Sequence, residues 1–199
     1  LRDVDQNDVE KTIVVAGSLD AKQANASDDA KPDEKLNADL IGHWTFDEVD
    51  ASGILANRAG KNHSGAVGKS PKFVAGPVGK ALALPGNARV NLTDGDKLRL
   101  DAGDWTIAAW IKTAAGGTIV ARGPAKGEWK PNGKSFFVRG GRLCFDIGWE
   151  GVVQSKKRVG DGKWHHVAVV SDGKTGLKRL FIDGAPDAQK ELASVDDAE

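Results

Sequence analysis

The chain has 199 residues, 40% of them hydrophobic and 28% charged, which suits one soluble domain with an appendage. No apolar run approaches the length of a membrane span, and the single cysteine, Cys144, excludes both an internal disulfide framework and a cysteine-built zinc site. The formal net charge is zero, yet residues 1–39 carry 10 acidic against 5 basic side chains, residues 40–182 carry 12 against 22, and residues 183–199 carry 6 against 1. Either the acidic ends balance the basic middle for solubility, or the middle attracts an anionic ligand such as a sulfated or uronic polysaccharide. Methionine is absent, so Leu1 reads as a trimmed end, and no signal peptide is visible.

Residues 1–39 read as an acidic tail or linker. Thr12–Ala16 (TIVVA) is β-branched and predicts one strand. Ala21–Asp39 is rich in Ala, Asp, Lys and Asn, lacks apolar periodicity, and reads as linker with a helical turn near Asp28–Leu36. From Leu40 the pattern changes to short β-type segments. Leu40–Phe46 is the first. Lys80–Leu84 and Arg89–Leu92 flank a Pro85-Gly86-Asn87 turn. Trp105–Thr113 is apolar on both faces, which predicts a central strand. Gly117–Arg122 follows, then Ser135–Arg139 and Arg142–Gly148 around a Gly140-Gly141 hairpin turn. Gly151–Ser155, Lys163–Ser171 and Leu177–Asp183 complete the series. In Arg142–Trp149, Leu143, Phe145, Ile147 and Trp149 share one face, which assigns Trp149 to the core. About ten short strands without a sustained helical period predict an all-β, two-sheet antiparallel sandwich.

Five stretches, in order, carry a family resemblance. They are Leu40–Glu48 (LIGHWTFDE), Gly76–Leu82 (GPVGKAL), Trp105–Thr113 (WTIAAWIKT), Gly162–Ala168 (GKWHHVA) and Leu180–Gly184 (LFIDG). Together they resemble the LamG-like jelly-roll domains of the concanavalin A-like (laminin G-like) lectin/glucanase superfamily. The resemblance implies a jelly roll over residues 40–199, with Trp164 and His166 packing in the sheets. It also implies a terminal strand motif that the chain does not reach before Glu199. An unfilled position would leave an open sheet edge, suited to a partner or to self-association, and Thr12–Ala16 could occupy an edge.

Enzymes on this fold need two carboxylates facing one glycosidic bond. The nearest pair by spacing is Asp146 and Glu150, but Gly148-Trp149 between them signals a turn, and the Glu-x-Asp-x-Glu pattern of laminarinase-like relatives is absent. His165 and His166 are adjacent, so they point to opposite faces and cannot share a metal. His43 and His63 have no partner at ligand spacing, and Ser135, Ser155 and Ser171 sit in no nucleophile elbow. The resemblance implies calcium through Asp and Asn oxygens. Candidates are Asn91, Asp94 and Asp96, or Asp101 and Asp104, all of which also serve as ordinary turn residues.

The expected function is therefore a non-catalytic ligand-binding module of a larger multidomain, secreted, periplasmic or cell-surface protein. Carbohydrate is the favoured ligand. Trp129 lies in the polar loop Pro124–Lys134 and is the candidate stacking residue. Lys130, Arg139, Lys156, Lys157 and Arg158 are the candidate basic rim, with Lys126 and Lys134 nearby. No nucleic-acid module is recognisable. The alternatives are a protein-interaction or spacer module whose sheet edge a partner completes, and a degenerate hydrolase-like domain.

Overall fold

A computed structural model of the chain describes residues 12–16, 40–68, 70–123, 130–193 and 195–197. Trp129, Lys126 and the expected helical turn at Asp28–Leu36 lie outside the described residues. The strands are β1 (Thr12–Ala16), β2 (Ile54–Leu55), β3 (Gly65–Val67), β4 (Lys72–Ala75), β5 (Lys80–Pro85), β6 (Val90–Leu92), β7 (Trp105–Lys112), β8 (Gly117–Arg122), β9 (Lys134–Arg139), β10 (Arg142–Ile147), β11 (Gly151–Arg158), β12 (Trp164–Ser171), β13 (Leu177–Ile182) and β14 (Ala185–Glu191). The chain is all-β and antiparallel, as the strand pattern requires. It divides into two compact units.

The larger unit comprises residues 1–15, 84–87 and 99–199. In it β14, β13, β12, β7 and β1 lie side by side in one sheet, and β11, β10, β9 and β8 form another. Alternation builds the core. Leu143, Phe145 and Ile147 of β10, Phe136 and Val138 of β9, Ile111 of β7, Val167 and Val169 of β12, and Leu180 and Ile182 of β13 are all buried. Trp105 and Phe145 meet across the sheets at 5.2 Å between ring centroids, tilted by 55°. The Gly140-Gly141 hairpin forms as expected, because both glycines adopt positive φ (58° and 75°), the geometry a tight two-residue turn demands. β7 is interior to its sheet, and His165 and His166 point to opposite faces. His165 is buried, whereas His166 stacks edge-on against Trp110 at 5.3 Å.

The smaller unit covers residues 16–83 and 88–98. Leu40–Phe46 is not a strand. Its backbone is tied by side chains instead. Asn57, buried, accepts from His43 N (2.8 Å) and donates to Ile41 O (3.0 Å) and Asn62 O (2.9 Å). Trp44 Nε1 donates to His63 O at 2.9 Å. Asp47 Oδ1 accepts the Lys80 N–H at 2.7 Å and sits where a side chain on Gly79 would collide. That contact joins the Phe-Asp-Glu and Gly-x-x-Gly stretches, and with φ at 62° position 79 requires glycine twice over. β2, β3 and β6 form a short sheet, and β4 pairs with β5.

Candidate functional site

β10 and its flanking turns organise the most informative surface. The β10–β11 turn overturns the core assignment of Trp149. Gly148 and Glu150 close the turn through Gly148 N to Gly133 O (2.8 Å) and Glu150 N to Ile147 O (3.0 Å). Between them Trp149 takes φ of 70°, which swings its side chain off the alternation, and it is 70% exposed. A bulky residue in the left-handed region costs free energy and persists only where the surroundings impose it. The loop beside it has a second such residue, Asn132 (φ 63°), whose N–H donates to Gly148 O at 3.0 Å. Lys130 lies exposed in that loop, and Lys190 Nζ reaches Val152 O at 3.3 Å. An exposed tryptophan is thus fixed between two hydrogen-bonded turns, with cations nearby.

At the other end of β10 the basic rim takes shape on strands rather than in a loop. Lys156, Lys157 and Arg158 belong to β11, not to the following loop. A register shift between Arg142 and Cys144 accommodates two extra β11 residues. Ser155 Oγ closes that bulge by accepting from Leu143 N (2.9 Å) and donating to Lys157 O (2.7 Å). Asp187 accepts the Lys156 N–H at 2.6 Å and the Lys157 N–H at 3.0 Å. Arg142, which sequence reasoning passed over, stands directly opposite Arg139 on β9 and Arg158 on β11. Only the strand register reveals it. Lys134 of the expected rim is instead buried in the interior.

Between these ends the other face of β10 carries Cys144, itself fully buried, and Asp146, half-buried. Burial pushes the Cys144 thiol up, and Gln154 Nε2 donates to its sulfur at 3.5 Å. Burial likewise raises the Asp146 carboxyl, partly opposed by the Arg139 charge. Glu150 lies exposed in the turn.

His165 sits at the end of the sandwich in a carboxylate clamp. Its Nδ1 lies 3.0 Å from Asp183 Oδ2 and its Nε2 3.1 Å from Asp161 Oδ1, and Lys157 Nζ reaches Asp183 at 2.6 Å. Burial pushes the Asp183 carboxyl up, but hydrogen bonds from Lys157 and His165 more than offset this and hold it below its usual range. The Lys163 backbone N–H is the main cause of the lowered Asp161 value. A folded value below the unfolded one contributes stability that is present above the unfolded value and lost as pH falls through the folded one. Urea midpoints at pH 6 and pH 3 check this. Stability falls between the two pH values in the parent, below the ordinary carboxylate range of about 4. Asp183→Asn starts less stable at pH 6 and falls less. An equal fall in both would remove Asp183 from the acid response.

The calcium candidates lie exposed or hold other partners. Asn91 is exposed on β6, Asp94 turns its carboxylate to Lys97 Nζ (3.2 Å), and Asp96 lies in a short 3-10 turn. Asp101 accepts from Arg99 Nε at 2.5 Å and its carboxyl falls to about 2, through that hydrogen bond and then the Asp197 N–H. Asp104 accepts from Gly173 N at 2.7 Å. Among the described residues no group of three or more His, Cys, Asp or Glu side chains is placed to hold a metal ion. Among the described residues no helix is long and apolar enough to cross a membrane.

The comparisons with known proteins agree with this architecture. No curated protein matches the chain. Among solved structures, the binding domain of Paraclostridial Mosquitocidal Protein 1 is similar, with a TM-score of 0.55 and 15% identity over 75% of this chain and 41% of that one. The chain therefore spans less than half the length of that neighbour, and at this identity the likeness establishes the fold alone. Residues 84–199 match the family model of the concanavalin A-like lectin/glucanases superfamily. That span is more than half of the chain and takes in β6 to β14, so the protein belongs to the concanavalin A-like lectin/glucanases superfamily, with its jelly-roll sandwich.

Proposed function

We propose that the chain is a non-catalytic carbohydrate-binding module of a larger extracytoplasmic protein, with Trp149 as its stacking platform. The observation that carries this reading is Trp149 itself, 70% exposed and held at φ of 70° by turn hydrogen bonds. Strain of this kind clusters at ligand contacts, and a fixed indole face offers stacking without further ordering cost. Trp129, in the same stretch of sequence as Lys130, lies outside the described residues. The reading as a partner-completed interaction module draws less support. The outer strand β14 is polar and includes Pro186, Lys190 and Glu191, features that discourage strand addition.

A glycan array probed with the folded chain and with Trp149→Ala tests the proposal. The parent binds a restricted set of glycans, and the variant loses roughly thirtyfold in affinity, corresponding to about 2 kcal/mol. No glycan bound by demonstrably folded protein would sink the proposal in favour of the interaction module.

A further inference from the structure

We infer that Arg139, Arg142 and Arg158, with Lys156 beside them, form a surface that binds the sulfate or carboxylate groups of an anionic polysaccharide. This inference rests on the carbohydrate reading and adds a second contact region, at the end of β10 opposite Trp149. The first observation is register. Arg142 faces Arg139 on one neighbouring strand and Arg158 on the other, so three arginines stand in one cross-strand row by backbone register. Like charges directly opposite one another are destabilising, so such a row needs a compensating anion.

The second observation is that no carboxylate among the described residues forms an ion pair with the row, although Asp146, further along the same face of β10, feels the Arg139 charge. Four other cations of this unit are paired with carboxylates: Lys157 with Asp183 (2.6 Å), Arg99 with Asp101 (2.5 Å), and Arg122 (3.2 Å) and Lys134 (2.8 Å) with Asp197. Among the described residues no carboxylate pairs with Arg139, Arg142, Arg158 or Lys156. Asp187 lies at the bulge, 31 residues from Lys156 in sequence, and its two oxygens accept the Lys156 and Lys157 backbone N–H groups rather than an arginine.

The third observation is that the arginines are already placed. Arg142 Nη1 donates to Ser155 O at 3.0 Å and also to Lys156 O. Arg158 Nη1 donates to Gly140 O at 3.1 Å. Arg139 lies over the Phe137 ring at 5.3 Å. Carbonyls and a ring face hold the guanidiniums without cancelling their charge. Each guanidinium has five N–H donors, so donors remain for a planar or tetrahedral oxyanion. The closed bulge keeps Lys156 and Arg158 beside Arg142. A chain with anionic groups at regular intervals fits a row of cations better than a single small anion does.

Titration calorimetry of the full chain with heparin, fully desulfated heparin, a polyuronate and a neutral glucan tests this. Heparin binding is expected, weakening at least about tenfold from about 0.05 M to about 0.3 M salt. The desulfated polymer and the polyuronate separate sulfate from carboxylate recognition. Arg139→Gln and Arg158→Gln, neither at a buried site, each weaken binding about tenfold or more, while the exposed control Lys163→Gln does not. Arg142→Lys keeps the charge but loses the fork, and weakens binding with unchanged salt dependence. Parent-like heparin binding by the Arg139 and Arg158 variants overturns the inference. So does binding of neutral glucan through Trp149 without heparin binding, which leaves the carbohydrate reading standing. If the parent binds none of the four polymers, both fall.

Discussion

Asp197→Ala lowers the unfolding free energy by about 3–5 kcal/mol, one of the largest single effects expected in the chain. Its side chain and that of Lys134 are each only 1% exposed, and Nζ lies 2.8 Å from Oδ1. The other oxygen, Oδ2, accepts from Arg122 Nε at 3.2 Å and Leu100 N at 2.8 Å. Lys134 Nζ also donates to Val195 O at 3.0 Å, and Asp197 N donates to Asp101 at 3.0 Å. Removing the carboxylate strands a buried ammonium and a buried N–H and takes one partner from the Arg122 guanidinium. Lys178 aggravates this. It is buried, bonded to Gly176 O (3.0 Å) and Leu192 O (3.3 Å), and its pKa is pushed down by burial and then by the Lys134 charge. Urea unfolding with a constant slope reads the loss directly. Replacing the pair by Lys134→Met with Asp197→Leu should recover much of the deficit, since a packed apolar pair avoids the desolvation. A loss below about 1 kcal/mol for Asp197→Ala would mean that the pair is solvated.

None of that cluster is legible locally. Lys134 closes a Gly/Lys/Pro loop and looks like surface, and its partner is 63 residues away. What the sequence does show is governed by alternation and turn chemistry. The Leu143, Phe145, Ile147 face and the Gly140-Gly141 turn follow from side-chain period and from glycine's access to positive φ. Where a polar sequence forms a strand, alternation is silent. β14, Ala185–Glu191, lies at the outside of its sheet, so only backbone pairing with β13 marks it. The Lys156-Lys157-Arg158 run extends β11 only because Ser155 and Asp187 satisfy the bulge backbone from outside the segment. Leu40–Phe46 has strand composition, but Asn57, Trp44 and a left-handed Phe46 (φ 60°) take its backbone elsewhere. Lys156-Lys157-Arg158 is visible in the sequence as a basic run. The pairing of Arg142 with two further arginines is a register property.

The tryptophan turn yields the sharpest separation of stability from function. Trp149→Gly should make the protein more stable by about 1 kcal/mol, because glycine meets no penalty in the left-handed region while an L side chain does. For a chain of this size that is a rise of roughly 2–4 °C in Tm. Little packing is lost, since the ring is 70% exposed. Trp149→Ala should show no such gain, as alanine retains the Cβ that makes φ of 70° unfavourable. Both variants should lose glycan affinity by the same roughly thirtyfold factor, because both delete the stacking face. Thermal scans beside glycan titrations therefore separate the two roles. A position that becomes more stable when its side chain is removed, and useless at the same time, was retaining strain for binding. If Trp149→Gly destabilises the protein, the ring supports the turn, and if it leaves glycan affinity intact, the stacking platform lies elsewhere.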